Sequence, residues 1–311
     1  MLWLWICVFL LKEQEGIIFA VKCFQSTLEK EITFSGYGIH SGKPSTVVLK
    51  PAVADHGIIF FLRSEVGRLH GFPADVFHTI PMDFCTTLGV DNIRIETIEH
   101  LMAAIAASGL DNLAIEVSAC ELPILDGGAA FYMKAITEAG IRTQKVMRKY
   151  IRILEPIEIR SGDGFAGFSP SPSDAMRFDI SIFFASSAIG RQHLAFTLDT
   201  DRFARDIAPA RTFGFLKDVE TLWAAGLALG SSLENSVVIG LDDRVLNAGG
   251  LIAADEFVRH KALDAVGDTA LLGWPFIGIF YSFKGGHRLN AQAVRALLEN
   301  PRYYEMTSFR S

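Results

Sequence analysis

This 311-residue chain is short of cysteine, of basic runs and of long apolar stretches, and each shortage removes a class of protein. The four cysteines (Cys7, Cys23, Cys85 and Cys120) are scattered and form no CxxC pair. A disulfide scaffold and a thiolate zinc site are therefore disfavoured, and a reducing cytoplasm fits the chain best. Lysine and arginine number 29 against 35 aspartates and glutamates, a net charge of −6, with no long Lys/Arg run. Binding a phosphate backbone needs a basic footprint, so nucleic acid is set aside as a partner. A phosphorylated small molecule stays open, because it needs only a few local cations. The N-terminal apolar run, "MLWLWICVFLL", has about eleven residues, too few to span a bilayer. Neither a basic n-region nor a small-residue cleavage site accompanies it. Residues 1–22 are read as an extension outside the fold, or as a misassigned start.

What the chain does have is apolar mass. Half the residues are hydrophobic and 24 are Phe, enough for a sizeable core without covalent staples. The length suggests about two domains. From about residue 24, strand-like and helix-like segments alternate. "KEITFSGYGIHSGKPSTVVLKP" reads as two strands around a Gly-rich turn, and "GIIFFL" as a third. "ETIEHLMAAIAASG" is a helix stopped by Gly109, and "NLAIEV" is the strand after it. "LPILDGGAAFYMKAITEAG" opens a second helix, with Asp126 as its N-cap and Gly140 as its stop. "RTQKVMRK" then has the polarity of a linker.

Beyond that stretch the order repeats. "YIRILEPIEIR", "FAGFSP", "MRFDISIFF" and "LAFTL" read as strands, followed by a helix at 255–267, the strand "FIGIFYSFKGG" and a last helix from about Ala291. "FGFLKDVETLWAAGLALGSS" (213–232) falls outside the repeat and reads as an insert with one short apolar helix. Strands lead and helices follow in each half, so the expected class is α+β, with two layered domains at 23–144 and 145–311.

The candidate chemistry centres on "FVRHKALDAVGD", residues 257–268. Helical residues four apart lie one above the other, so His260, Asp264 and Asp268 share a face, with Lys261 at its edge. Val258, Ala262, Ala265 and Val266 lie opposite. Alone, this segment reads as a solvated face laced by i,i+4 pairs. His100, in "TIEHLMAAI", stands beside Glu99 near the start of another helix whose remaining residues are small and apolar. His56, His70, His78 and His193 fall in strand ends or loops and read as structural, without acidic companions. His40, in "GYGIHSG", reads as a turn histidine.

His100, His260 and Asp264 together make two imidazoles and a carboxylate, the inventory of a catalytic zinc site that leaves a fourth position for water. The same set suits a non-haem iron oxygenase, which keeps Fe2+ as an alternative occupant to Zn2+. Glu99, next to a ligand but not needed as one, suits a general base. Expelling an amine needs an acid. His287 in "FKGGH", on a loop after a strand, suits that role, with Asp268 to orient it and keep it protonated. The extra carboxylates and imidazole favour acid–base hydrolysis.

Five stretches, "TIEHLMAAIAASGLDNLAIEV", "PILDGGAAF", "ARTFGFLKD", "DEFVRHKALDAVGD" and "KGGHRLN", together resemble the UDP-3-O-acyl-N-acetylglucosamine deacetylases, zinc amidases of bacterial lipid A biosynthesis. The resemblance runs in order from about Thr27 to Pro301 and includes "GYGIHSGK". It implies two similar domains, each a sheet layered with two helices, and an active site between them. It implies His100, His260 and Asp264 as zinc ligands, Glu99 as general base, His287 as general acid and Asp268 as the acid's partner. Thr212 in "ARTFGF" falls on a hydroxyl that helps stabilise the tetrahedral oxyanion. Phe213 falls on an aromatic that packs against the sugar. Lys261 and Lys284 fall on cations near the substrate's polar groups and diphosphate.

The insert at 213–232 falls on a βαβ insert that forms a passage for the 3-O-acyl chain, and this would employ Leu216, Val219, Leu222, Trp223, Leu227 and Leu229. The implied substrate is a UDP-linked acylated amino sugar, handled in the cytoplasm. No stable protein partner is implied, only transient contact with a membrane surface. Two features depart from the family. Its acidic-aromatic pair, which holds uridine, is matched here by Ser181-Ile182, with Phe183 one step further along. Residues 1–22 have no counterpart.

Overall fold

The computed structural model describes residues 22–309, except 64–66 and 91–92. The extension read at 1–22 therefore lies outside the described residues, Lys22 apart. Among the described residues the chain mixes several β-sheets with six α-helices. The helices are α1 (Glu99–Ser108), α2 (Ala130–Ala139), α3 (Thr200–Arg202), α4 (Val219–Ala224), α5 (Glu256–Thr269) and α6 (His287–Leu298). None is long and apolar enough to cross a membrane.

The first half builds a five-stranded sheet in the order Ile32–Tyr37, Pro44–Pro51, Leu113–Val117, Ile58–Arg63, Leu69–Pro73. Period-two alternation decides its faces. Val47, Leu49, Leu113, Ile115 and Phe60 are fully buried, whereas Glu116, next to Ile115, is exposed. The helix α2 leans on Ile32–Tyr37 and on α1. Gly109 ends α1 in the left-handed region (φ 67), where a residue with a Cβ would be disfavoured.

The second half is organised around the strand Phe276–Phe283. It pairs antiparallel with Gly164–Ser169 and parallel with Met176–Phe183, and its first residues pair with Tyr150–Ile153. Phenylalanine supplies much of the core here. Phe168 meets Phe276 and Phe280 edge to face, at 5.3 and 5.1 Å between ring centres, a geometry favoured by the ring quadrupole. The helix α5 packs against Met176–Phe183, Arg191–Thr197 and α6.

It also packs along α1, and this contact positions the site. A Cβ at Gly267 would stand 2.1 Å from the carbonyl oxygen of Glu99, so only glycine lets the two backbones approach this closely. Leu101, Met102 and Ile105 of α1 join Leu263 and Val266 of α5 in one continuous apolar cluster that draws on both halves.

Several local expectations are corrected. The polar stretch read as a linker is the strand Ile141–Met147, paired antiparallel with Phe24–Leu28. It contributes backbone hydrogen bonds and keeps most side chains out of the core, so hydropathy did not mark it. Asp126 does not cap α2, which starts at Ala130. Its carboxylate instead accepts the Gly128 N–H (3.3 Å) inside a turn whose Gly127 has φ 81. The helix α6 starts at His287, ahead of Ala291, with the extended Gly286 as its N-cap. His287 is thus a helix-terminal residue rather than a loop residue. The insert reaches past 232: Thr212–Phe215 and Ser236–Ile239 pair in parallel, with α4 between them in sequence.

Candidate active site

Three helix segments converge. Glu99 and His100 open α1, His260, Asp264 and Asp268 rise along one face of α5, and His287 opens α6. All six residues are at most 7% exposed. The expectation of a solvated face on α5 is therefore set aside.

The ligand atoms of His100, His260 and Asp264 lie within 4.8 Å of one another. Asp264 Oδ1 is 3.4 Å from His260 Nε2 and 3.7 Å from His100 Nε2. The two imidazoles stand edge to face, with ring centres 5.1 Å apart. Asp264 Oδ2 accepts from Lys261 Nζ at 2.8 Å, but Oδ1 is buried with no hydrogen-bond partner. A buried carboxylate oxygen without a donor is costly unless a cation completes it. His260 Nδ1 faces the carbonyl of Ala210 at 3.1 Å, which places the proton there and leaves the Nε2 lone pair toward Asp264. That carbonyl is itself fixed, because buried Glu256 clamps the next residue, Arg211, through its N–H and guanidinium. Burial pushes His260 down to about 3, so the ring is neutral at pH 7 and able to ligate. Burial opposes ionisation of Asp264, yet the charged Lys261 and His287 hold it well below the usual carboxylate range. Two imidazole nitrogens and one carboxylate oxygen suit a divalent cation of borderline softness. Among the described residues no fourth His, Cys, Asp or Glu joins the group.

Beside it lies the acid–base set. Glu99 Oε2 accepts the main-chain N–H of Thr86 at 2.9 Å, and Oε1 points toward His287 Nε2 at 3.9 Å. Burial raises the Glu99 carboxyl above its ordinary value. His287 Nδ1 is 3.1 Å from Asp268 Oδ2, and Asp268 also accepts from Thr86 Oγ1 (2.5 Å) and Asn290 Nδ2 (2.9 Å). Burial works against a charged His287, but Asp268, Glu99 and Asp264 outweigh it and push the imidazole up to about 9.

The remaining residues expected from sequence are placed less tightly. Phe213 packs on Phe257 (5.0 Å) and stands 6.0 Å from the His260 ring, with Lys261 Nζ 5.7 Å over its face. Thr212, half-buried, begins the same strand and donates its N–H to Gly127 O at 2.8 Å. Lys284 belongs to a different cluster: its Nζ bonds Asp163 and lies 5.0 Å over Phe183, and its N–H bonds Ser181 O at 3.0 Å. Strand alternation buries Ile182 and exposes Phe183, with Arg191 5.7 Å from the same ring. No residue of α4 is buried, and Trp223 and Leu229 are more than half exposed.

Sequence reasoning missed Thr86, Asn290, Glu121 and Glu256, since each acts through contacts with residues well separated from it in the chain. Glu121 holds the turn carrying His40 by accepting the N–H groups of His40 and Ser41 at 2.8 Å each, and the insert docks there through Leu229 N–H to His40 O at 3.0 Å. His78 and His193 do have acidic companions, Asp75 (2.8 Å) and Asp179 (2.9 Å). The first is an N-cap three residues away and the second a cross-strand neighbour, and both pairs remain partly exposed.

The family described as LpxC: UDP-3-O-acyl N-acetylglycosamine deacetylase matches residues 25–299. Over 286 residues, 92% of this chain and 99% of the relative, the chain is 49% identical to the UDP-3-O-acyl-N-acetylglucosamine deacetylase of Brucella melitensis biotype 2. The protein of the same name from Brucella ovis is 48% identical over an equal length. With a match this complete, the chain belongs to the UDP-3-O-acyl N-acetylglycosamine deacetylase family.

Proposed function

We propose that this protein hydrolyses the N-acetyl amide of a UDP-linked, 3-O-acylated N-acetylglucosamine, giving acetate and the free amine, as a step of lipid A biosynthesis. The carrying observation is the buried His100–His260–Asp264 group, with its unpartnered Asp264 oxygen, set directly against Glu99 and the His287–Asp268 pair. Those residues fit Zn2+, with Fe2+ as the alternative occupant. When bound there, such an ion supplies Lewis-acid polarisation and makes water more acidic.

The protein's own groups divide the proton work. Glu99 takes the proton of the attacking water at Oε1, since Oε2 is occupied by Thr86. His287, charged at neutral pH, delivers its Nε2 proton to the departing nitrogen as the C–N bond breaks. Asp268 accepts from Nδ1 and keeps that ring oriented. Thr212 serves the oxyanion, Phe213 the sugar face, and Lys261 and Lys284 the polar groups and diphosphate. The exposed apolar residues of 213–232 form the acyl passage. The residues 23–144 and 145–311 act as two domains with the site between them. A cytoplasmic location, no stable protein partner and transient membrane-surface contact belong to the same reading.

Two other readings have distinct signatures. A metal-stabilised, non-catalytic module would close its site with a fourth protein ligand, and an iron oxygenase would turn over an oxo-acid. Metal analysis, with acetate release measured with and without a chelator, separates them. About one ion per chain is expected, and acetate release should stop on metal removal and return with zinc. Release that survives complete metal removal, or redox turnover with an oxo-acid, overturns the proposal.

A further inference from the structure

We infer that Thr86 is the positioning residue that sets the acid and the base of this hydrolysis in register, an inference that rests on the hydrolytic reading above. Thr86 is 5% exposed and commits each of its polar groups. Its N–H donates to Glu99 Oε2 at 2.9 Å. Its carbonyl accepts from the N–H of Ile98, the N-cap of α1, at 3.3 Å. Its hydroxyl donates to Asp268 Oδ1 at 2.5 Å and lies 3.2 Å from His287 Nδ1.

The two carboxylates it grips come from opposite halves of the chain: Glu99 opens α1, and Asp268 lies 182 positions from Thr86 on α5. One residue thus joins the helix that carries the base to the helix that carries the acid's partner. The bonds also sort the oxygens. With Oε2 of Glu99 occupied, Oε1 is the oxygen left to receive a proton, and it is the one facing His287. With Oδ1 of Asp268 held by the hydroxyl and Oδ2 held by Asn290, the carboxylate plane is fixed from both ends. His287 Nδ1 then meets a stationary acceptor, and Nε2 is aimed at the space beside Glu99 Oε1 and Asp264 Oδ2, 3.9 Å from each. Losing the hydroxyl frees one end of a buried carboxylate, and a misaimed proton donor lowers the rate of the chemical step without weakening ground-state binding.

A buried threonine that merely satisfies its own hydroxyl would serve stability alone, and a mutant cycle distinguishes the two roles. Thr86→Val, Thr86→Ser, His287→Ala and the Val/Ala double variant are compared as zinc-loaded proteins for metal stoichiometry, kcat and KM. Thr86→Val should keep its metal and its KM within about threefold, while kcat falls roughly tenfold to a hundredfold. Thr86→Ser should recover most of that loss. In the His287→Ala background the valine should cost little more, because the group it positions is gone. Normal kcat in Thr86→Val, an equal loss in Thr86→Ser, or full additivity with His287→Ala overturns the inference. If Thr86→Val does not fold, Thr86→Ala takes its place in the cycle. Should that also fail, Thr86→Ser decides alone, with near-normal kcat supporting the role and a large loss refuting it. A wild-type protein that releases no acetate would refute the hydrolytic reading itself, whereas active wild type with an indifferent Thr86 refutes only this assignment.

Discussion

The α1–α5 junction and the insert are both lined by residues that sequence patterns pick out, yet they are built on opposite principles. At the junction Glu99, His100, His260, Asp264, Asp268 and His287 are all buried, and Asp268 in particular is held by three named partners, whereas Asp264 Oδ1 has none. In the insert no residue of α4 is buried, and Trp223, Leu229 and Leu216 face outward. Those exposed apolar side chains fit the proposed acyl passage. The contrast teaches where each property resides. Chemistry needs preorganised, water-poor geometry, whereas chain selectivity needs apolar area left free to be covered.

The comparison is broken most severely at the junction. His100→Ala and Asp264→Ala should each lose metal and nearly all activity. Glu99→Ala should retain the metal while losing roughly a hundredfold to ten-thousandfold in kcat, because it removes a base and no ligand. Metal analysis alongside turnover checks both, and near-normal turnover in Glu99→Ala would remove it from the base role.

In the insert the expected effect is at least about a hundredfold in kcat/KM when the acyl chain is absent. Each fully buried methylene is worth about 0.8 kcal/mol, so even partial burial of a long chain reaches that size. Leu227→Ser or Trp223→Ser should erode the long-chain preference and leave a short-chain analogue almost untouched. A chain-length series decides, and parallel losses at every length would place these residues in the insert's own scaffold.

Gly267→Ala sharpens the contrast through packing alone. The added Cβ would meet Glu99 O at 2.1 Å, so α1 and α5 must separate. A loss of about 1–3 kcal/mol in unfolding free energy is expected, with zinc affinity reduced as well. A glycine-to-alanine change at solvent-facing Gly249, where nothing lies within 4 Å, should have far less effect. Chemical denaturation of both variants measures the difference.

The last effect is a pH dependence. His287 rises from 6.5 to about 9 on folding, so the folded protein binds that proton more tightly than the unfolded chain. The stability it contributes is complete below about pH 6.5 and is lost as pH climbs through 9. In metal-free protein this adds a slope of at most about 1.4 kcal/mol per pH unit in that window. Denaturation curves of wild type and His287→Asn at several pH values test it, and identical slopes would show that the imidazole does not gain its charge on folding.

Much of the layout was legible because it is local. Helical periodicity alone aligned His260, Asp264 and Asp268, and glycine stops ended α1 and α2 where expected. Alternation found most strands with buried faces. It failed on Ile141–Met147, whose side chains are largely exposed, and on the second strand of the insert, whose partner precedes it by some twenty residues. At Ser181-Ile182, where the chain departs from the family's acidic-aromatic pair, pleating turns Ile182 into the core and leaves Phe183 outside, near Lys284 and Arg191.

By itself, then, the sequence determined which titratable side chains share a helix face, because backbone hydrogen bonding imposes a 3.6-residue period whatever surrounds it. It also determined that α5 could approach a neighbouring backbone, by placing glycine at 267. Tertiary structure alone decided which backbone that was, and therefore that Thr86 would lie within hydrogen-bond reach of both Glu99 and Asp268. Contacts across nearly two hundred residues depend on how helices and sheets fill space together, and no local period encodes that.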